Sequence, residues 1–428
     1  MSVFSGKRFA VLGLGRAGMP AALRLREFGA EVFVWDDNEA SRAAADGFAV
    51  RKPSEVTGHL DAVVLSPGIP HILPKPHPEA AWAVAHGVPV LTDAELLYQA
   101  VRGLGSKARF AGITGTNGKS TTTALLAHIL NVAGVPNAAG ANLGPAALSL
   151  PILPDDGVYV LEMSSYMLER IATLRFDAAV TLNLSPDHLD RHGDMAGYAA
   201  AKRAIFARQD GSCTAVIGVD DEPSREMAEW LQTQPAKVVR ISGTGQATGA
   251  KALPGEHNAQ NAAAAAALAR ALGVGEAAIA EGIASFPGLA HRAQEVAQCE
   301  GVRFINDSKA TNADAASRAM ACHDRFVWIA GGVAKAGGID DLEPLFPRIE
   351  KAFLIGQDGQ AFAAKLAAHG VANEYVGTLE AALPEAFAAA KAGSGVVLFS
   401  PAAASFDQFP NFEARGDVFA KLAKGVAA

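Results

Sequence analysis

One stretch limits the folds open to this chain more than any other. It is Phe110-Ala-Gly-Ile-Thr-Gly-Thr-Asn-Gly-Lys-Ser-Thr121, an apolar strand that runs into three evenly spaced glycines and then Lys-Ser-Thr. Gly112, Gly115 and Gly118 are expected to let the backbone bend tightly and turn its N–H groups inward, a nest suited to a polyphosphate. A helix predicted from Thr121 to Gly134 follows, and its N-terminal dipole adds to the attraction for anions. Lys119 would then reach the outer phosphates, and Ser120 would offer a hydroxyl to Mg²⁺. The usual phosphate loop reads G-x4-G-K-[ST], whereas five residues separate Gly112 from Gly118, so the loop is a variant with one residue extra. A plain glycine-rich turn before a buried helix has no need of Lys-Ser-Thr after its last glycine.

The rest of the chain is rich enough in apolar residues to bury such an element several times over. Its 428 residues suggest about three domains of roughly 150 residues each. Hydrophobic residues make up 50% and charged residues 19%, with one biased tract, Ala262 to Ala267, so the sequence reads as globular throughout. A formal net charge of −7 argues against a broad nucleic-acid surface. Cys213, Cys299 and Cys322 lack metal-ligand spacing and are expected to be free thiols of a cytoplasmic protein. Met1 to Arg16 hold no long apolar core, and no run approaches ~18 apolar residues, so neither export nor membrane insertion is expected.

Near the start, a short strand from Arg8 to Leu12 meets Gly13-Leu-Gly-Arg-Ala-Gly18, and a second strand, Glu31 to Trp35, ends at Asp36. This is the dinucleotide-binding fingerprint, with its acidic residue about 20 positions on. The turn serves NAD(P), another nucleotide diphosphate, or no ligand at all. A further strand, Asp61 to Leu65, runs into Ser66-Pro-Gly-Ile69, on the rim where ligands of α/β folds bind. The Gly-rich run Arg102 to Lys107 marks a first boundary, giving a domain over 1–103.

The central segment, 104–289, opens with the phosphate loop and reaches a turn at Gly140-Ala-Asn-Leu-Gly144. A buried strand, Val158 to Glu162, then ends in a carboxylate that either meets Mg²⁺ or caps the next helix. After a strand from Ala178 to Asn183 comes Leu184-Ser-Pro-Asp-His-Leu-Asp-Arg-His192, in which His188 is either a ligand or a surface residue. Tyr198-Ala-Ala-Ala-Lys202 lies on a helix, where Lys202 could also be an ordinary snorkelling lysine. Gly255-Glu-His-Asn-Ala-Gln-Asn261 opens a long Ala-rich helix to Leu272, with asparagines that cap it or face a nucleotide. The Phe286-to-Arg292 turn marks the second boundary. Beyond it, in 290–428, strands at Val302, Phe326, Ala352 and Val396 alternate with helices. Their ends carry Asn306-Asp-Ser-Lys-Ala-Thr-Asn312, Gly331-Gly-Val-Ala-Lys335 and Ser400-Pro-Ala-Ala-Ala-Ser-Phe-Asp-Gln-Phe409, where a small ligand would dock. The predicted class is α/β, with three domains that are each an open, mostly parallel sheet: Rossmann-like, P-loop ATPase-like and Rossmann-like again.

In order, G-I-T-G-T-N-G-K-S-T, L-E-M-S-S, D-H-L-D, Y-A-A-A-K, G-E-H-N-A-Q-N, H-R, N-D-S-K-A-T-N and S-P-A-A-A-S-F-D-Q-F resemble the Mur ligases of peptidoglycan synthesis. The last two motifs resemble the branch that adds D-glutamate. The resemblance implies ATP-dependent amide formation between D-glutamate and UDP-N-acetylmuramoyl-L-alanine through an acyl phosphate, by a cytoplasmic monomer with no nucleic-acid partner. It implies that Gly115, Thr116, Asn117, Gly118, Lys119, Ser120 and Thr121, with Asn261, Arg292 and Asp307, hold ATP across the central and C-terminal domains. It places one Mg²⁺ on Ser120 and Glu162 and a second on His188 and a carbamate formed from CO₂ on Lys202, and makes Lys119, His188 and Lys202 the catalytic set. It assigns Gly15, Arg16, Ala17, Gly18, Asp36, Gly68 and Asn142 to the UDP substrate, with Arg16-Ala17, Asp37-Asn38 and Met167 departing from residues common in relatives. Glutamate brings two carboxylates to be desolvated, so its pocket needs a cation and directed donors, and these are expected from Thr311, Lys335 and Ser405 between the rings of Phe406 and Phe412. A ligase using L-glutamate and a folylpolyglutamate-type ligase are alternatives within the same chemistry. A dehydrogenase would explain only Gly13 to Gly18, and a regulatory ATP-binding module would release no phosphate.

Overall fold

Short apolar runs bounded by glycine or charge become parallel strands along most of the chain, as expected where both faces of a sheet are covered. The computed structural model describes residues 2–335 and 337–427, and among these residues it holds three sheets. The first contains β1 (Arg8–Leu12), β2 (Glu31–Trp35), β3 (Ala49–Val50), β4 (Ala62–Leu65) and β5 (Val90–Leu91) in the spatial order β3-β2-β1-β4-β5, all parallel. Strand order reverses at β1, so the turns after β1 and β4 flank a crevice at the strand ends.

The second sheet contains β6 (Arg109–Thr114), β7 (Asn137–Ala141), β8 (Val158–Glu162), β9 (Ala178–Thr181), β10 (Thr214–Gly218) and β11 (Lys237–Ile241). Its order is β11-β10-β9-β6-β8-β7, again parallel, with β6 paired to β8 on one side and β9 on the other. The loops after β6, β8 and β9, which carry the phosphate loop, Glu162 and His188, therefore leave the same edge. Gly118, left-handed at φ 86°, caps the helix Lys119–Val132 and starts it two residues before the predicted Thr121. The turn expected over Gly140–Gly144 begins at Asn142, after β7, which occupies the sheet edge and takes in Gly140 and Ala141.

These two sheets belong to one compact unit, Met1–Ala250 with Glu256–Phe286. They share a core. Tyr98, on the helix Asp93–Gly103, meets the Phe110 ring edge-on at 5.1 Å, and Phe110 stacks on Tyr159 at 4.7 Å. From the same helix the buried Glu95 carboxylate accepts 2.9 Å hydrogen bonds from the N–H groups of Ala172, Thr173 and Leu174. Burial opposes its charge, yet these donors and the Thr173 hydroxyl hold it below the usual carboxylate range. The Gly-rich run after Gly103 is a turn, closed by the Arg102 guanidinium donating to Ser106 O and Ala108 O at 2.9 Å.

The second unit, Lys251–Gly255 with Pro287–Ala428, holds β12 (Gln294–Cys299), β13 (Val302–Asn306), β14 (Phe326–Gly331), β15 (Ile349–Ile355), β16 (Asn373–Gly377) and β17 (Val396–Phe399). The order is β12-β13-β17-β14-β15-β16, parallel except for β12, which turns back on β13 through Glu300 and Gly301, both at positive φ. The polar composition of β12, Gln-Glu-Val-Ala-Gln-Cys, concealed it from sequence reading, and its edge position explains that composition.

Candidate functional site

The phosphate loop divides its three glycines between two jobs. Gly115 (φ 144°) and Gly118 (φ 86°) adopt backbone that side chains resist, and a Cβ on Gly118 would stand 2.1 Å from Asn261 Oδ1. Gly112 does not turn the chain, contrary to expectation. It lies inside β6, where a Cβ would strike the Phe176 ring at 2.8 Å, so it serves packing. The loop is held from the β9 side: Asn183 Oδ1 accepts Asn117 N–H at 2.8 Å, Asn183 O accepts Thr116 N–H at 2.9 Å, and the Asn183 amide donates to Gln260 Oε1. Asn183 and Gln260 were not among the residues singled out from sequence. Their signal, an asparagine at a strand end and a glutamine beside Asn261, becomes legible only when β9 lies next to β6. Asn261 itself accepts the Thr122 hydroxyl and donates to Asn258 Oδ1, while Ser120 and Thr121 are buried at the helix start.

Two lysines converge on this loop. Lys119 Nζ donates to Gly115 O at 2.9 Å and Thr116 O at 2.8 Å, and Lys202 Nζ, 88 and 87 residues from its partners Thr114 and Gly115, donates to the same Gly115 carbonyl at 2.9 Å. Lys202 is 2% exposed and lies 4.6 Å over the Tyr198 ring, so it is no snorkelling surface lysine. Burial, aided by the neighbouring Lys119 charge, drives its amine far below the ordinary lysine range. Glu162, at the end of β8, is also buried. One of its oxygens accepts the Asn142 amide at 2.6 Å, and the other has no hydrogen-bond partner. It caps no helix, because Ser164 does that, accepting Met167 N–H. A lone buried carboxylate oxygen beside a phosphate loop fits a divalent cation. His188 starts the short helix Leu189–His192 at φ 53°, with Nε2 3.4 Å from Asp187 and its ring 5.0 Å from that of Tyr166. Burial lowers its pKa, Asp187 opposing and Lys202 and Lys119 adding to the shift. Among the described residues no cluster of three His, Cys, Asp or Glu side chains stands at metal-binding spacing, so any cation here draws on a mixed set of hydroxyl, carboxylate and imidazole donors.

Beside this centre, within the same unit, lies a cleft of about 480 Å³ lined by Gly15, Arg16, Ala17, Asp36, Asp37, Gly68, His77 and Asn142, among others. Gly18 does not line it. A Cβ there would stand 1.7 Å from Gly13 O, so this glycine lets the helix pack on the strand. The Asp36 carboxylate is engaged by backbone, accepting Leu14 N–H at 2.6 Å and Asn38 N–H at 2.9 Å. Asn142 belongs to both places, lining the cleft while donating to Glu162. Arg16 crosses the cleft's end to donate to Gly144 O at 2.9 Å.

In the second unit, Asp307 is buried, accepts Ala293 N–H and the Ser400 hydroxyl, and is pushed up by burial to about 6. Arg292 closes the turn from Leu289 and partly offsets that burial. The loops after β13, β14 and β17 are tied together. Val333 and Ala404 exchange backbone hydrogen bonds at 2.8 Å, and the fully buried Arg415 donates to Ser308 and to Ala403 O. Phe412 sits 5.5 Å below the Lys309 amine, and Thr311 is bonded to Lys309 through the backbone. Lys335 is exposed and lines a separate cavity of about 440 Å³ with Lys365, Asp340 and Asp358, which neither Thr311, Ser405 nor Phe412 lines. Ser405 is buried, and Phe406, 75% exposed, forms no wall.

Three α/β sheets and a glycine loop that runs into Lys119 at a helix N-terminus define a phosphate-binding α/β class. Residues 113–253 match the Mur ligase middle domain, and residues 3–71 match the NADPH-binding domain of acetohydroxy acid isomeroreductase, a match confined to the region of the first glycine loop. MurF from Acinetobacter baumannii superimposes with a TM-score of 0.61 at 18% identity, over 99% of this chain and 92% of that one. Two curated relatives, both UDP-N-acetylmuramoylalanine–D-glutamate ligases, are 47% identical: that of Paramagnetospirillum magneticum over 98% of this chain and 97% of its own, and that of Caulobacter vibrioides over 99% and 97%. The chain belongs to the Mur ligase family, in the branch of the UDP-N-acetylmuramoylalanine–D-glutamate ligases.

Proposed function

We propose a division of labour among the three sheets for the ligase reaction. The protein is an ATP-dependent ligase of peptidoglycan precursor synthesis. Its substrates are UDP-N-acetylmuramoyl-L-alanine and D-glutamate. In this reading residues 1–103 hold the UDP end of the substrate, 104–289 hold ATP, and 290–428 hold glutamate. The protein works as a cytoplasmic monomer, and no helix among the described residues is long and apolar enough to cross a membrane.

The muramoyl-linked carboxylate attacks the γ-phosphorus of ATP, ADP leaves, and the glutamate amine attacks the acyl phosphate. The tetrahedral intermediate then expels phosphate, and the amine's proton goes to solvent. Negative charge gathers on phosphoryl oxygens at every stage, so fixed cations matter more than a protein nucleophile. Lys119, released from Gly115 O and Thr116 O, holds the outer phosphates. Ser120 and Glu162 would hold one Mg²⁺, and His188 with a carbamate on Lys202 another, and these ions would supply positive charge to neutralise the transferring group. Asn142, between the cleft and Glu162, aligns the substrate carboxylate with the ATP end. Asn261 belongs with the phosphate loop in the nucleotide site, and Lys335, with the cavity it lines in the second unit, is the glutamate site.

One observation carries the reading: Lys119 and Lys202 donate to one carbonyl beside a buried carboxylate oxygen without a partner. Burial and the neighbouring Lys119 charge both lower the Lys202 pKa, which enlarges the fraction of neutral amine, the form that attacks CO₂ with loss of a proton to solvent. The carbamate turns a competing cation into an anionic ligand. Phosphate release with UDP-N-acetylmuramoyl-L-alanine and D-glutamate, and its absence with L-glutamate or a pteroate substrate, tests the assignment. Release with pteroate instead would replace it.

A further inference from the structure

We propose that His192 is a positioning residue that holds the His188 loop and the Lys202 helix in register with the end of β8. The three segments that carry Glu162, His188 and Lys202 are separate in sequence, and His192, which lies on the His188 segment, reaches the other two through its ring. Its Nε2 is 2.9 Å from the hydroxyl of Ser165, three residues beyond Glu162. Its Nδ1 is 3.0 Å from Glu169 Oε1, though off the line of a hydrogen bond. Its backbone N–H donates to His188 O at 3.2 Å. The ring stacks on Tyr166, centroids 5.6 Å apart, and lies 5.4 Å from Tyr198, whose own face carries Lys202 and whose hydroxyl is 3.2 Å from that of Thr116 in the phosphate loop. Directly after Glu169, the buried Arg170 donates to Leu65 O and to Ser66 O and Ile69 O, the last two in residues that line the cleft. The segment Ser165–Arg170 thus joins the cleft to the phosphate centre, and His192 is the clamp on its far side.

A nucleophilic Ser165–His192–Glu169 relay does not fit the geometry: His192 Nδ1 is off the line of a hydrogen bond to Glu169, so the carboxylate does not orient the ring as a relay requires. Positioning explains why a polar ring is buried at 8% exposure between two tyrosines, where an apolar side chain would pack without the cost of desolvating two nitrogens.

The inference rests on reading Glu162, His188 and Lys202 as metal-side residues, and its test separates the two. His192→Phe keeps the ring and removes the polar contacts, whereas His192→Gln can still bond Ser165. With saturating substrates, His192→Phe should raise the Mg²⁺ concentration for half-maximal phosphate release, or lower kcat, by ~10- to 100-fold, as loss of outer supports of a metal site does. KM for the UDP substrate and the melting temperature should stay near those of the parent, and His192→Gln should recover most of the loss. Should His192→Phe fail to fold, Ser165→Ala should show the same Mg²⁺ dependence. A folded His192→Phe or Ser165→Ala enzyme with parental kcat and Mg²⁺ dependence overturns the proposal. So does a His192→Gln enzyme no better than His192→Phe. If instead ¹³C-bicarbonate NMR shows no carbamate on the fully active parent enzyme, the metal-side reading of Lys202 fails, whatever the His192 variants do.

Discussion

The chain builds a strand, a glycine loop and a helix twice, at Gly13–Gly18 and at Gly112–Gly118, and the two loops are finished differently. In the first, the acidic residue that a dinucleotide site would offer to a ribose is spent on the loop: Asp36 accepts Leu14 N–H and Asn38 N–H, and Ser66 donates to Gly13 O. No lysine follows. In the second, Asn183 braces the backbone while Lys119 and Lys202 bring two amines to one carbonyl. A glycine loop shows that anions are welcome at a helix N-terminus; the side chains around it determine whether an anion is held or transferred.

The sharpest way to break that contrast is Lys119→Ala. It should lower phosphate release by ~10²- to 10³-fold, because the transferring phosphoryl loses a fixed charge, while UDP-substrate binding by calorimetry stays intact. Near-parental turnover would mean the second loop only binds. Lys202→Ala should be almost as inactive and recover in part with added acetate, which restores an anionic oxygen near Mg²⁺; ¹³C-bicarbonate NMR showing no carbamate in active enzyme would count against this.

A matched pair of glycine variants sharpens the comparison further. Gly118→Ala forces a side chain into φ 86° and against Asn261, at a cost of about 1–2 kcal/mol from the backbone alone, and should weaken ATP binding while sparing the UDP substrate. Gly18→Ala drives a methyl onto Gly13 O and should do the reverse, with overpacking of about 1–3 kcal/mol lowering the melting temperature. Equal damage to both ligands in either variant would show that the loops do not act separately. Smaller still, Lys335→Ala should raise KM for glutamate several-fold with little change for ATP. An equal change for both would move the glutamate site away from the 440 Å³ cavity that Lys335 lines.

Much of this architecture was legible beforehand because it depends on local chemistry. Strands such as Arg8–Leu12 and Val396–Phe399 lie where apolar runs meet polar loops, and the phosphate-loop helix differs from expectation only at its ends. The strands that escaped notice, Ala49–Val50, Asn137–Ala141, Gln294–Cys299 and Asn373–Gly377, are edge strands that are short or not strongly apolar. The glycines were counted correctly but not sorted: Gly18 and Gly112 look like Gly115 in sequence, yet each makes room for a distant atom rather than turning the chain.

The sequence by itself determined the two glycine loops, the order of the motifs and the alternation of strand and helix, because backbone sterics, helix dipoles and apolar periodicity act over a few residues. Only the tertiary structure decided that Asp36 braces its own loop, that Asn183 braces the other, that Lys202 meets Gly115 across 87 residues, and that one core joins the first two sheets. These are contacts between segments that burial brings together. Their energies depend on which charges lose water and which partners they then find, and no spacing along the chain contains that information.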